Sequence, residues 1–309
     1  MKKLLFVSST YAYMADDFAQ HGDFERGSIE SKVFPDGEIY RRVVDDPWGR
    51  DVVLLGGTPS DRDWLEVYDL GSAISRAGAR SLSIVMPYFG YSTMERAVRP
   101  GEVVTAKTRA RLISAIPPCE GGTRIFLFDL HTDGIEFYFS DAHTTHHLYG
   151  APLVTGLIQG IAGNAPYVLG ATDAGRAKWV ESLAKRLTCE PAFVYKRRDP
   201  QTGELAVTGI NADVGGKLVV IYDDMIRTGS SLLQAARAYR DAGAREVHAV
   251  ASHLVLPGDA LDRLRGSGLI ASINGTNSHP GSEKARAAGG QVTSASKLLA
   301  DAVARSLCS

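Results

Sequence analysis

The chain has 309 residues, 44% hydrophobic and 22% charged, which are globular proportions, and its length suggests two domains rather than one large core. A formal net charge of −1 excludes a global basic field for nucleic acid or an anionic membrane, so any anionic ligand must be held by local features. Cys119, Cys189 and Cys308 form no CxxC pair and no even disulfide framework, which is the cysteine usage of a reducing, cytoplasmic compartment.

The opening MKKLLFVSS places Lys2 and Lys3 before an apolar run from Leu4 to Val7. That run is too short for a signal sequence or a membrane span, and it reads as a first strand. Further β-rich runs follow in DVVLLGG, SLSIVMPYF, TRIFLFDL, APYVLGAT, KLVVIYDD and EVHAVASHLV. Between them lie stripes at helical spacing: Trp64, Val67, Gly71, Ile74; Val180, Leu183, Ala184, Leu187; and Leu232, Ala235, Ala236, Tyr239. Strands alternating with amphipathic helices predict parallel sheets with crossover connections.

The chain also repeats itself. VVLLGG at 52–57 leads through a loop and helix to AGARSLSIV at 77–85, and LVVIYDD at 218–224 leads likewise to AGAREVHAV at 242–250. In both, the glycine of AGAR (Gly78, Gly243) suits a helix C-terminus. A second pairing suggests itself between IFLFDLHTDG and YVLGATDAGR, each a strand running into an acidic turn. Tandem α/β domains follow, 1–150 and 151–309, with the closing SASKLLADAVARSL a helix able to pack back on the first.

Ligands of open α/β sheets collect beyond the carboxyl ends of the strands. After KLVVI come Tyr222, Asp223 and Asp224, then Arg227, Thr228, Gly229, Ser230 and Ser231, then a helix. Backbone N–H groups, hydroxyls and a helix N-terminus at 228–231 hold a phosphate without net positive charge. The two aspartates disfavour phosphate beside them but accept hydrogen bonds from vicinal hydroxyls such as those of a ribose. Ser230 and Ser231 acting only as helix caps is the simpler alternative. DAHTTHHL at 141–148 spaces His143 and His147 four apart, a ligand spacing only if the segment is helical; no third ligand is evident nearby and Thr144 and Thr145 oppose a helix, so it reads as an ordinary surface or subunit-contact segment.

The 219–231 stretch resembles the PRPP-binding motif of phosphoribosyltransferases and, more closely, of ribose-phosphate diphosphokinases (PRPP synthetases). FPDGE at 34–38, PYFGY at 87–91, TAK at 105–107, FDLHTD at 128–133, TDAGR at 172–176 and YKRR at 195–198 match the latter in order. The resemblance implies two tandem phosphoribosyltransferase-like domains, each a mainly parallel sheet flanked by helices, with nucleotide on the N-terminal side and ribose phosphate on the C-terminal side. It implies that Asp223, Asp224, Thr228, Gly229 and Ser231 hold the ribose phosphate, and that Phe34, Asp36 and Glu38 receive ATP, in a loop that the family supplies from a neighbouring subunit of a homo-oligomer. His131 and Asp173 match the pair near Mg2+, with His131 also on the ATP side, and Lys196 and Arg198 match the catalytic cations. The implied reaction is attack of the anomeric hydroxyl of ribose 5-phosphate on the β-phosphorus of ATP, with AMP leaving and no covalent enzyme nucleophile.

Three departures qualify the resemblance. The family's Arg-Gln nucleotide contacts after PYFGY are Thr93 and Met94 here, leaving Arg96 or Arg99 to replace them. Its aspartate before Thr-Gly is Arg227, and the second glycine of its Asp-Ala-Gly-Gly turn is Arg176, so a diphosphate-bearing acceptor such as ADP-ribose stands as an alternative. Trp48 stands where the family often has a regulatory arginine. A non-catalytic regulatory paralogue is the remaining alternative.

Overall fold

The computed structural model describes residues 2–172, 177–198 and 205–306. The chain divides into two compact units, one formed up to Tyr149 together with the segment from Ala295, the other by Gly150–Ser294.

The first unit contains β1 (Lys3–Val7), α1 (Ala15–Ala19), β2 (Phe24–Arg26), β3 (Ile29–Val33), β4 (Ile39–Val43), β5 (Asp51–Leu55), α2 (Asp61–Arg76), β6 (Ser81–Met86), α3 (Thr105–Ser114), β7 (Thr123–Phe128) and β8 (His143–Leu148). Six of the strands form one parallel sheet in the order β2-β1-β5-β6-β7-β8, while β3 and β4 make a separate antiparallel hairpin. One face of the sheet packs against α2 and α3 through Trp64, Val67, Leu70, Ile74, Ala106, Ala110 and Ile113. Trp64 is fully buried and meets the Phe89 ring edge-on at 4.9 Å.

The second unit contains α4 (Ala151–Ala162), β9 (Tyr167–Gly170), α5 (Ala177–Leu187), β10 (Glu190–Ala192), β11 (Val194–Arg198), β12 (Leu205–Ile210), β13 (Leu218–Ile226), α6 (Ser230–Asp241), β14 (Glu246–Leu254), α7 (Ala260–Gly266), β15 (Ser272–Thr276), α8 (Ser282–Ala287) and β16 (Val292–Thr293). Its parallel sheet has the order β10-β9-β13-β14-β15-β16. Helices cover both faces: α6, α7 and α8 through Leu232, Ala235, Tyr239, Leu264 and Ala285, and α4 and α5 through Val154, Ile158, Val180 and Leu183. The chain ends in α9 (Ser296–Ser306), which packs on α1 and β7 in the first unit.

The two sheets have the same strand order, position for position, and the repeat extends to single hydrogen bonds. Gly78 and Gly243 follow α2 and α6 in the left-handed region, at φ +81° and +92°, where a side chain would be strained. The next amide reaches back in both to close the helix, Ala79 to Ile74 O at 3.4 Å and Ala244 to Tyr239 O at 3.0 Å. Gly49 then donates to Gly78 O, and Gly216 to Gly243 O, each at 2.9 Å. The second pairing expected from sequence does not hold. By sheet position β7, which carries IFLF, corresponds to β15, and β9, which carries YVLG, corresponds to β1.

Candidate active site

β13 does not stop at the apolar run. It stays paired with β14 as far as Ile226 opposite Leu254, so Asp223 and Asp224 belong to the strand. Adjacent strand residues leave on opposite faces; Asp224 is 7% exposed and Asp223 half-buried. Asp223 already accepts twice, from its neighbour's amide at 2.9 Å and from Thr172 Oγ1 at 3.3 Å. The two carboxylates therefore act as separate acceptors, one on each side of the strand end. Tyr239, rooted in α6, aims its buried hydroxyl at Ala171 O and Ala192 O, at 3.0 and 2.8 Å, which fixes the ends of β9 and β10 around Thr172. Burial raises its phenol well above the usual tyrosine range.

Beyond β13, Arg227, Thr228, Ser230 and Ser231 are exposed around a buried Gly229. Gly229 has φ +76°, and a Cβ there would stand 2.6 Å from Leu264 Cδ2. Only glycine lets the chain turn this tightly into α6. The helix starts with no side-chain cap; Thr228 Oγ1 and Ser230 Oγ lie 3.4 Å apart, and Arg263 of α7 donates to Thr228 O at 3.0 Å. Arg263 gave no sequence signal, because only the fold brings α7 to this loop.

The corresponding position in the first unit is built oppositely. The loop after β5 enters α2 through a complete capping box, with Ser60 N donating to Asp63 Oδ2 at 2.9 Å and Asp63 N to Ser60 Oγ at 3.4 Å. Asp63 and Glu66, each 4% exposed, crowd the helix start. Glu66 accepts from Ser9 N at 2.8 Å and Ser9 Oγ at 2.7 Å, and Asp63 accepts from Thr10 Oγ1. Asp63 satisfies this helix end, and with Glu66 one turn on, two buried carboxylates repel any further anion. Of the two equivalent loops, the one in the second unit leaves its hydroxyls exposed and its helix start without a side-chain cap.

Phe34, Asp36 and Glu38 occupy the exposed turn of the β3–β4 hairpin. The turn closes by Phe34 N to Glu38 O at 2.8 Å and Glu38 N to Asp36 Oδ1 at 3.1 Å, with Lys32 Nζ 5.2 Å from the Phe34 ring centre. Thr93 and Met94 follow Tyr91, which has φ +63°. This segment rests on α3 and the turn after β7, through Ala106 N to Met94 O at 3.2 Å and Tyr138 OH to Glu95 O at 2.6 Å. Arg96 is 79% exposed and leans on Glu95 at 3.4 Å. The guanidinium nearest Tyr91 belongs instead to Arg109, a residue that sequence reading missed. Trp48 is 74% exposed, with its ring against Gly78.

His131 is half-buried in the turn after β7. The doubt about a helix at His143 and His147 is justified: these residues lie in β8, where four residues span about 13 Å, too far to share an ion, although the segment is more inward-facing than a plain surface stretch. His143 is buried and meets Ile116 O at 3.1 Å, and burial holds its pKa below the usual imidazole range. His147 lies 3.3 Å from Asp133, and burial lowers its pKa also, against the raising effect of Asp133. YKRR runs along β11 opposite β12; the side chains of Lys196 and Arg198, and all of Asp173 and Arg176, lie outside the described residues.

Two mainly parallel sheets of one strand order, each flanked by helices, define a pair of phosphoribosyltransferase-like domains. The N-terminal domain of ribose phosphate pyrophosphokinase matches residues 3–116, and the phosphoribosyl synthetase-associated domain matches residues 181–308. A ribose-phosphate pyrophosphokinase of Synechococcus elongatus is 30% identical, over 97% of this chain and 89% of its own; one of Gloeobacter violaceus is 32% identical over the same shares. The crystal structure of phosphoribosylpyrophosphate synthetase from Mycobacterium smegmatis superposes with a TM-score of 0.86 at 29% identity, covering 98% of each chain. The chain belongs to the ribose-phosphate pyrophosphokinase (PRPP synthetase) family, and it is an enzyme of the diphosphotransferase class. Among the described residues no helix is long and apolar enough to cross a membrane.

Proposed function

We propose that the protein transfers the diphosphate of ATP to the anomeric hydroxyl of ribose 5-phosphate, giving PRPP and AMP. The observation that carries this reading is the contrast between the two equivalent helix starts: α2 is capped by Ser60 and Asp63, whereas α6 begins at Gly229 without a side-chain cap. The 5-phosphate sits on the N–H groups and hydroxyls of Thr228, Gly229, Ser230 and Ser231, where the helix dipole favours an anion. Asp223 and Asp224 accept from the ribose hydroxyls and orient the sugar. Phe34 stacks on the adenine while Asp36 and Glu38 meet its polar edge, with Arg96 and His131 on the phosphate side.

An imidazole and a carboxylate, the groups of His131 and Asp173, would hold a magnesium ion that accompanies the nucleotide phosphates. Bound there, it supplies neutralisation of charge at the phosphorus attacked. Lys196 and Arg198 stabilise the charge that spreads over the phosphate oxygens as the anomeric oxygen approaches. The exposed FPDGE turn serves a neighbouring copy in a homo-oligomer, and the enzyme works in the cytoplasm.

A second reading keeps the transfer and enlarges the acceptor to one with a further phosphate, such as ADP-ribose. It is favoured by two guanidinium groups at the phosphate loop, the exposed Arg227 and the loop-bound Arg263. Incubation with ATP and magnesium, offering ribose 5-phosphate and ADP-ribose separately, decides by AMP release. AMP from ribose 5-phosphate supports the first reading, AMP from ADP-ribose alone supports the second, and AMP from neither rejects both.

A further inference from the structure

The turn that carries His131 begins at a strained residue and is tied to β8. Asp129 has φ +46°, a left-handed conformation that non-glycine residues keep only when their surroundings impose it. Two backbone donors in succession tie the turn to β8: Asp129 N–H to Leu148 O at 2.8 Å, and Leu130 N–H to Nε2 of His147 at 2.9 Å. The first is ordinary backbone pairing. The second depends on one side chain, and it leaves from the residue just before His131.

His147 is itself fixed. Its backbone pairs with Leu127, its side chain is 4% exposed, and its ring centre lies 4.3 Å from that of Tyr149. Because Nε2 accepts, the proton of the neutral ring is on Nδ1, which faces Asp133 Oδ1 at 3.3 Å without hydrogen-bond alignment. One imidazole thus touches the chain on both flanks of His131, at Leu130 before it and at Asp133 after it. A group that served only to fill space under the sheet edge has no need of an acceptor aimed at that amide.

We propose that His147 is a positioning residue, which sets the place of His131 by accepting the Leu130 N–H and bracketing the turn against Asp133. The proposal rests on the reading that His131 serves the nucleotide–metal side of the site. Outer partners that orient such groups change metal affinity or activity by about 10–100-fold when removed.

Three variants test it: His131→Ala, His147→Leu and His147→Gln, the last keeping an acceptor. Amide hydrogen exchange at Leu130 reads the bond directly. Mn2+ titration followed by electron paramagnetic resonance with ATP present reads the metal side, and half-saturation by ribose 5-phosphate serves as the control. His147→Leu is expected to lose Leu130 protection and to weaken Mn2+ binding about 10–100-fold, with ribose 5-phosphate half-saturation within about twofold of the parent; His147→Gln recovers most of both. Unchanged Mn2+ binding in folded His147→Leu overturns the proposal, as does a folded His147→Gln that is as defective as the leucine variant. If the leucine variant does not fold, His147→Gln decides alone: near-parental Leu130 protection and Mn2+ binding support the acceptor role, and loss of either overturns it. Full Mn2+ binding and activity in His131→Ala instead reject the reading of His131, separately from the bond that His147 makes.

Discussion

The Arg109 guanidinium lies 5.3 Å from the centre of the Tyr91 ring, and the two side chains donate to the same oxygen of Asp61, Arg109 at 2.6 Å and Tyr91 at 2.8 Å. The Tyr91 hydrogen bond, with Arg109 adding to it, holds the Asp61 carboxyl below its usual range. The cluster anchors the start of the segment that carries Thr93 and Met94, which is further tied by Ala106 N to Met94 O and by Tyr138 OH to Glu95 O. Arg109→Met is expected to raise ATP half-saturation about two- to fivefold, the range of an exposed ion pair, while ribose 5-phosphate half-saturation is unchanged. Steady-state kinetics with each substrate varied in turn checks this.

Gly229 and Gly243 both have φ in the left-handed region, but only Gly229 is crowded: a Cβ at Gly243 would meet nothing nearer than 3.6 Å. Gly243→Ala is expected to cost about 1–2 kcal/mol of stability from backbone strain alone. Gly229→Ala adds overpacking against the fully buried Leu264, about 1–3 kcal/mol more, and displaces the phosphate loop. Urea denaturation of the two variants, beside ribose 5-phosphate binding by calorimetry, separates strain from site damage.

The equivalent helix starts make opposite predictions for two serines. Ser60→Ala removes half of a capping box and is expected to lower stability by about 0.5–2 kcal/mol without changing turnover. Ser231→Ala leaves stability nearly untouched, because α6 has no side-chain cap to lose, and weakens ribose 5-phosphate binding. Melting temperature and substrate affinity measured on both variants give the comparison.

The central strands were legible in the sequence because a strand buried on both faces is a continuous apolar run; β1, β5, β6, β7, β9, β13 and β14 all carry one. The edges were not. β8 is polar, HTTHHL, and the structure alone shows His143, His146 and His147 folded inward, His146 stacked on Phe126 at 4.8 Å. The extension of β13 through Asp223 and Asp224 was hidden as well, since adjacent acids look like a turn until Ala251, His253 and Leu254 are known to pair beside them. Arg109 and Arg263 are far in sequence from the residues they touch, so no local pattern marked them. The internal repeat was readable where glycine geometry enforced it and misleading where it rested on two acidic turns.

His279 carries a pH prediction. Burial, with smaller contributions from His253 and Lys284, lowers its pKa to about 3, and Gly281 N–H donates to its Nδ1 at 2.9 Å. The folded state keeps the ring neutral while the unfolded chain protonates near pH 6.5, so stability present at neutral pH is lost as the pH falls below that value. From pH 7 to pH 5 this one group accounts for about 2 kcal/mol. His279→Asn, which keeps an acceptor for Gly281, is expected to flatten the acid side of the stability curve by that amount in urea titrations at the two pH values.

In the proposed reaction a diphosphate group, attacked at its β-phosphorus, passes intact to a sugar held at Gly229. ATP labelled with 32P at the β position tests it directly. With magnesium and ribose 5-phosphate, the label is expected to move to the sugar product while unlabelled AMP accumulates. Label remaining in ADP, with only the γ-phosphoryl group transferred, would contradict it.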